Sequence, residues 1–159
     1  MKRVISSLIL TLIASSLMFA MGGRESKDQT PSTPAAPASG VTGKIEIWEG
    51  NFMPMIDKDR REQQIKPGAN MKVRIHEPAK GLLGTVVAEV PTSVVAETVS
   101  DESGRFTIPV REGTYSLFIE DKNGWYANGW NGDGVQGAVV VEPMKMTEVL
   151  IKNTTKATF

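Results

Sequence analysis

"SDESGRFTIPVREGTYSLFIEDKNG", residues 100–124, holds three turn signals and two strand patterns. Phe106, Ile108 and Val110 alternate with Thr107 and Pro109, a period of two that places apolar side chains on one face of a strand. Tyr115, Leu117 and Ile119 repeat the pattern, and Phe118 makes that second strand apolar on both faces. "SDESG", "REG" and "DKNG" punctuate the stretch, with Asp and Ser to hold turn backbone and Gly or Asn to supply positive φ. The pattern predicts a hairpin in which Phe106 and Tyr115 oppose each other and supply much of the core. Gly104 and Gly113 are expected where a side chain would force strained φ. Pro109 has no N–H to donate, so its strand is expected at an edge or at a bulge.

The same period extends outward. Met71, Val73 and Ile75 alternate with Lys72, Arg74 and His76, and "KPGAN" precedes them as a turn. Gly43–Trp48, Val94–Val99, Val135–Val141 and Thr147–Lys152 are further strand candidates. About seven strands without a convincing helical stretch predict an all-β fold, an antiparallel β-sandwich of transthyretin-like or immunoglobulin-like type.

This domain is expected over residues 41–159. Before it, residues 23–40 carry Pro31, Pro34 and Pro37 among Ser, Thr and Ala, the composition of a disordered linker that cannot bury enough apolar surface to order itself. Residues 1–22 follow the secretory pattern: Lys2 and Arg3, then an apolar run from Val4 to Met21, then Ala20 and Gly22 at the −3 and −1 positions of a cleavage site before Gly23. Cleavage at Ala20 is an alternative, and an uncleaved anchor is the rival reading, since the apolar run approaches the ~20 residues that span a bilayer. Export to the periplasm or the extracellular space is the expectation. The chain has no cysteine, so a lipoprotein cleavage site is absent and no disulfide assists the core. Losing residues 1–22 moves the formal charge from +0 to about −2, without the clustered positive charge that nucleic acid requires.

At "ETVSDESGRFTIPVREGTYSLFIED" the chain resembles the carboxypeptidase regulatory-like domains, whose fold is like that of transthyretin. The resemblance lies in Thr98, Asp101, Gly104, Phe106, Gly113 and Tyr115, with "KPGANMKVRIHE" upstream similar to the family's strand after a Pro-Gly turn. "IEIWEGNFMP" at 45–54, "GWYANGWNGDG" at 124–134 and the final "KATF" are similar to a subgroup of small exported bacterial proteins. The resemblance implies a scaffold, because glycines and core aromatics specify fold and not chemistry. It is to the accessory domain and not to the peptidase.

The residue inventory agrees. Zinc hydrolases need about three His or carboxylate ligands, and this chain has one histidine, His76, which the alternation places on the wet face of its strand beside Lys72 and Arg74. Thiol and Ser-His-Asp nucleophile arrangements lack their partners. Asp57, Asp59 and Glu62, interleaved with Lys58, Arg60 and Arg61, have the mixed charge of a solvated loop or a single helical turn. Asp121, Asn123, Asn131 and Asp133 are the better metal candidate. They are oxygen donors in two loops, set against the ordinary reading of "DKNG" and "NGDG" as turns. "NTT" at 153–155 fits a glycosylation sequon. No enzyme activity and no cofactor is expected.

The least ordinary feature is "GWYANGW", which sets Trp125, Tyr126 and Trp130 within six residues where a strand enters a Gly-rich loop. Flat rings there can stack on a sugar or grip a peptide, with Asn128 and Asn131 as hydrogen-bonding neighbours; the rival role is capping the open end of the sandwich. Trp48 is expected to pack in the core or at an edge. The expected function is a non-enzymatic exported accessory or interaction module of the cell envelope, with a carbohydrate-binding module as the alternative. A protein or glycan of the envelope is the expected partner. Membrane contact, if any, is expected only through an uncleaved signal segment.

Overall fold

The computed structural model describes residues 39–54 and 57–159. The expected signal segment, and the linker up to residue 38, lie outside the described residues. Ten strands and one short helix follow: β1 Gly40–Asn51, α1 Lys58–Glu62, β2 Ile65–Pro67, β3 Lys72–His76, β4 Val86–Val87, β5 Val94–Val99, β6 Arg105–Pro109, β7 Gly113–Asp121, β8 Gly124–Tyr126, β9 Ala138–Val141 and β10 Met146–Thr158. The seven expected strands are all present. The three additional ones, β2, β4 and β8, are only two or three residues long, too short for a period of two to show.

Two sheets form an all-β sandwich. In sheet A, β10, β1 and β2 lie side by side, and β6 also pairs with β1; in sheet B the order is β4-β8-β7-β3-β5, with β9 also on β7. Inward side chains of both sheets meet in one core that includes Val41, Ile45, Val73, Ile75, Phe106, Ile108, Leu117, Ile119, Tyr126 and Ile151. Burying such side chains contributes about 1.5–3 kcal/mol each. Pairing is antiparallel except between β1 and β10, which run parallel from Gly40–Met146 to Asn51–Thr158 with an irregularity after Ile47. The chain therefore crosses from sheet B to sheet A between β9 and β10, which no hairpin connection achieves.

β1 begins one residue before the expected domain start. Gly40 N–H donates to the Lys145 carbonyl at 3.1 Å, and the Ser39 carbonyl accepts from Val110 N–H at 3.1 Å. Tertiary pairing recruits residues whose composition alone reads as linker.

The opening stretch departs from expectation in one respect. β6 pairs with β1 in sheet A, whereas β7 pairs with β3, β8 and β9 in sheet B. "REG" is thus a crossing between sheets and not a hairpin turn. Phe106 is a core ring set opposite Gly43, and Tyr115, half-buried, is set opposite Val139. Alternation reports which face of a strand is apolar but not which strand lies beside it, so two consecutive amphipathic strands suit a hairpin and a sandwich crossing equally. The true hairpin is "DKNG", where Asp121 and Gly124 close a two-residue loop between β7 and β8. Pro109 lies on a strand whose one partner is β1, the edge position its missing N–H demands.

"SDESG" ties the sheets together. Ser100 is buried; its Oγ donates to the Gly68 carbonyl at 2.6 Å and accepts from Met71 N–H at 2.9 Å. Asp101 Oδ1 accepts from the backbone N–H groups of Ser103 and Arg105, both at 2.8 Å, and from Ser103 Oγ at 2.7 Å. Gly104 has φ +79°, and a Cβ there would lie 2.6 Å from the Ile45 carbonyl oxygen. Gly113, at φ +156°, is close to extended, and a side chain there would press on the Tyr115 ring.

Sheet B has a second core on its outer face. Ala79, Val90, Phe118 and Ala127 are buried together, with Leu82, Val87 and Trp125 packed against them. Residues 77–93, including β4, lie over this face, which explains why Phe118 makes β7 apolar on both sides. His76 does project to the outer face with Arg74, as its alternation requires, but that face is covered. It is 3% exposed, a correction to its expected place in water.

Candidate functional site

The Trp-rich segment does not present its rings on one face. Successive residues of β8 project to opposite sides, so Trp125 and Tyr126 part company. Tyr126 points inward and is buried; its hydroxyl donates to the Lys152 carbonyl at 2.6 Å and lies 3.0 Å from the Asn128 side-chain amide. The ring therefore joins sheet B to β10 of sheet A. Trp125 points outward against the second core, with the Arg74 guanidinium 4.1 Å from its ring centroid. Arg74 in turn donates from Nε to Glu97 at 2.7 Å. Trp130 alone of the three is largely open, at 48% exposure.

The neighbouring amides have local duties. Asn128 is exposed, with its Nδ2 3.5 Å from the Leu150 carbonyl. Asn131 Oδ1 accepts from the backbone N–H groups of Asp133 at 3.0 Å and Val135 at 2.9 Å, closing the turn that follows Trp130. In the other candidate calcium loop, Asp121 Oδ1 accepts from Asn123 N–H at 3.3 Å, and Oδ2 accepts from Asn153 Nδ2 at 2.8 Å. Asp121 and Asn153 line a cleft of about 490 Å³ with Glu120, Lys122 and Lys156, and neither Asn131 nor Asp133 is part of it. The two pairs thus belong to separate turns, and Asp121 also holds Asn153 of β10. Among the described residues no three His, Cys, Asp or Glu side chains form a metal-sized group. Asn153, the sequon residue, is buried, and its Oδ1 accepts from Thr155 N–H at 3.0 Å.

A different aromatic group assembles on the outer face of sheet A. Trp48 near the end of β1 stacks on Phe52, with centroids 4.7 Å apart, and Phe159 lies 5.9 Å beyond. Phe52 N–H donates to the Thr158 carbonyl at 2.8 Å, so the parallel β1–β10 pairing carries "IEIWEGNFMP" and "KATF" to one place. α1, with Asp57 at its N-cap, brings Lys58, Arg61 and Glu62 to the same cleft, which measures about 350 Å³. Lys152 Nζ sits 5.0 Å above the Trp48 ring, and Trp48 Nε1–H donates to Glu46 at 3.2 Å. Arg61 reaches back to the Pro54 carbonyl at 2.8 Å. Asp57, Asp59 and Glu62 are exposed on and beside one helical turn.

The cleft is not evident from the sequence because Phe159 lies more than a hundred residues along the chain from Trp48 and Phe52. "IEIWEGNFMP" carries two aromatics among Gly, Asn and Pro and "KATF" ends on one, and only the register of β1 with β10 unites them. Comparison with family models and with curated proteins finds no match for this chain.

Proposed function

We propose that the protein is a non-enzymatic exported β-sandwich that acts as an accessory or interaction module of the cell envelope. The observation that supports this reading is the Trp48–Phe52–Phe159 group. An open Phe159 and a half-exposed Trp48, set over the buried Phe52 beside Lys58, Arg61 and Lys152, combine apolar contact area with charge at the rim, the composition of a recognition surface. The resemblance to carboxypeptidase regulatory-like domains and the secretory pattern of residues 1–22 support the same reading. A photo-crosslinking side chain at Phe159 is expected to give a discrete adduct in the exporting host, lost on Trp48→Ala. The same side chain at Leu83, 91% exposed near the opposite sheet, is expected to give none. Equal labelling from both positions would sink the proposal.

Carbohydrate binding is the second reading, and exposed Trp130 favours it. One open ring with Asn128 nearby offers a stacking face and an amide, a smaller platform than three rings would make. On a glycan array, binding that disappears in Trp130→Ala and persists in Trp48→Ala would support this alternative; no binding by the unmodified protein would remove it.

A further inference from the structure

His76 is the chain's one histidine and lies beneath residues 77–93. Its Nδ1 is 2.8 Å from the Thr92 carbonyl, which can only accept, so the neutral ring carries its hydrogen there. Nε2 is then a lone pair, buried and without a partner among the described residues. The ring stands edge-on to Phe118, with centroids 5.6 Å apart, and Ser116 is its register partner on β7. Two further bonds close the covering segment beside the ring: Glu77 N–H donates to the Ser93 carbonyl at 3.0 Å, and Thr92 Oγ1 donates to the Glu77 carbonyl at 2.9 Å.

We propose that His76 is an acid-sensitive latch, whose protonation releases the Thr92 end of residues 77–93 and uncovers the apolar outer face of sheet B. A proton added at Nε2 creates a donor and a full charge where no acceptor of the described residues is within bonding reach, and an unpaired buried charge is costly. The charged groups on the packed elements offer little relief. Arg74 on β3 repels the imidazolium, and Glu97 on β5 is already bonded to Arg74. Glu77, Lys80 and Glu89 of the covering segment are exposed, while β7 presents uncharged Ser116 and Phe118. Burial therefore holds the imidazole below its ordinary range, with Arg74 adding to the shift and the Thr92 carbonyl opposing it. The closed form is favoured in full above the exposed-imidazole value near 6.5, and the preference is lost as pH falls from there through the closed-state value. Opening solvates the ring and exposes Val90, Ala79 and Phe118.

Amide exchange by NMR on the full domain tests the latch. The Glu77 amide reports the Thr92 end directly, and its opening constant, corrected for intrinsic exchange, is expected to rise about tenfold for each pH unit below about 6.5 until the ring's own titration is complete. The His76 ring resonance gives that midpoint without ambiguity in a chain with one histidine. His76→Gln, which keeps a donor but cannot titrate, is expected to make the Glu77 opening constant flat with pH. A flat profile in the unmodified protein would overturn the latch, as would an unchanged slope in the variant. Should His76→Gln not fold, the unmodified protein decides alone: ring midpoint and Glu77 opening must move together.

Discussion

Gly104→Ala isolates how much of this fold depends on one close approach of backbone to backbone. Gly104 sits at φ +79°, where an L side chain costs roughly 1–2 kcal/mol from local sterics alone. Its added Cβ would also stand 2.6 Å from the Ile45 carbonyl oxygen and 3.0 Å from Gly68 N. That carbonyl accepts from Gly68 N–H at 2.9 Å, and Ile45 N–H donates to the Gly104 carbonyl at 2.8 Å. Relieving the contact strains both bonds, each worth about 1 kcal/mol net. The total expected loss is therefore roughly 3–4 kcal/mol. Gly134→Ala is the matched control, because Gly134 has φ +75° and no atom of the described residues within 4 Å of its would-be Cβ. It should lose only the local term, roughly 1–2 kcal/mol. Urea denaturation at constant m-value measures both. Equal losses for the two variants would refute the contact between the "SDESG" turn and β1 as the reason Gly104 is glycine.

Phe118→Ala should cost about 3–5 kcal/mol, the range for a fully buried ring, although its side chain lies on the outer face of sheet B. A neutral result in thermal melting would mean residues 77–93 do not cover that face in solution. Tyr126→Phe leaves the Lys152 carbonyl without its 2.6 Å donor and should cost about 1 kcal/mol in urea titration, while core packing is kept; no change would show the bond adds nothing to sheet closure. Asp101 is held below the ordinary aspartate range chiefly by the Ser103 side chain and the Arg105 N–H, so its carboxylate stabilises the fold above about pH 4 and loses that effect as pH falls through its folded value. Asp101→Asn should accordingly flatten the acid limb of a stability–pH curve, and an unaltered limb would dismiss the Asp101 turn as its origin.

Strand content, the apolar faces and the "SDESG" turn were legible because each is local. A period of two needs only five or six residues to declare itself, and Phe106, Ile108, Leu117 and Ile119 are in the core as their alternation requires. Neighbour choice was not legible. Whether β6 turns back on β7 or crosses to β1 depends on long-range pairing, and the alternation of Phe106 and Tyr115 is identical in both arrangements. The same ignorance of neighbours misplaced His76: its side of the strand followed from position, but water or cover on that side was decided by residues 77–93. Phe118 was the available sign, an apolar residue on a face that should have been wet.

The aromatic residues divide in the same way. Sequence proximity made Trp125, Tyr126 and Trp130 look like one platform, yet a strand sends adjacent side chains to opposite faces, so Tyr126 entered the core and Trp125 went beneath Arg74. Phe159 looks unrelated to Trp48 and Phe52 along the chain and meets them because β10 runs parallel to β1. Local residue pattern determines which side chains seek burial; only the pairing of distant strands decides which of those left at the surface stand together.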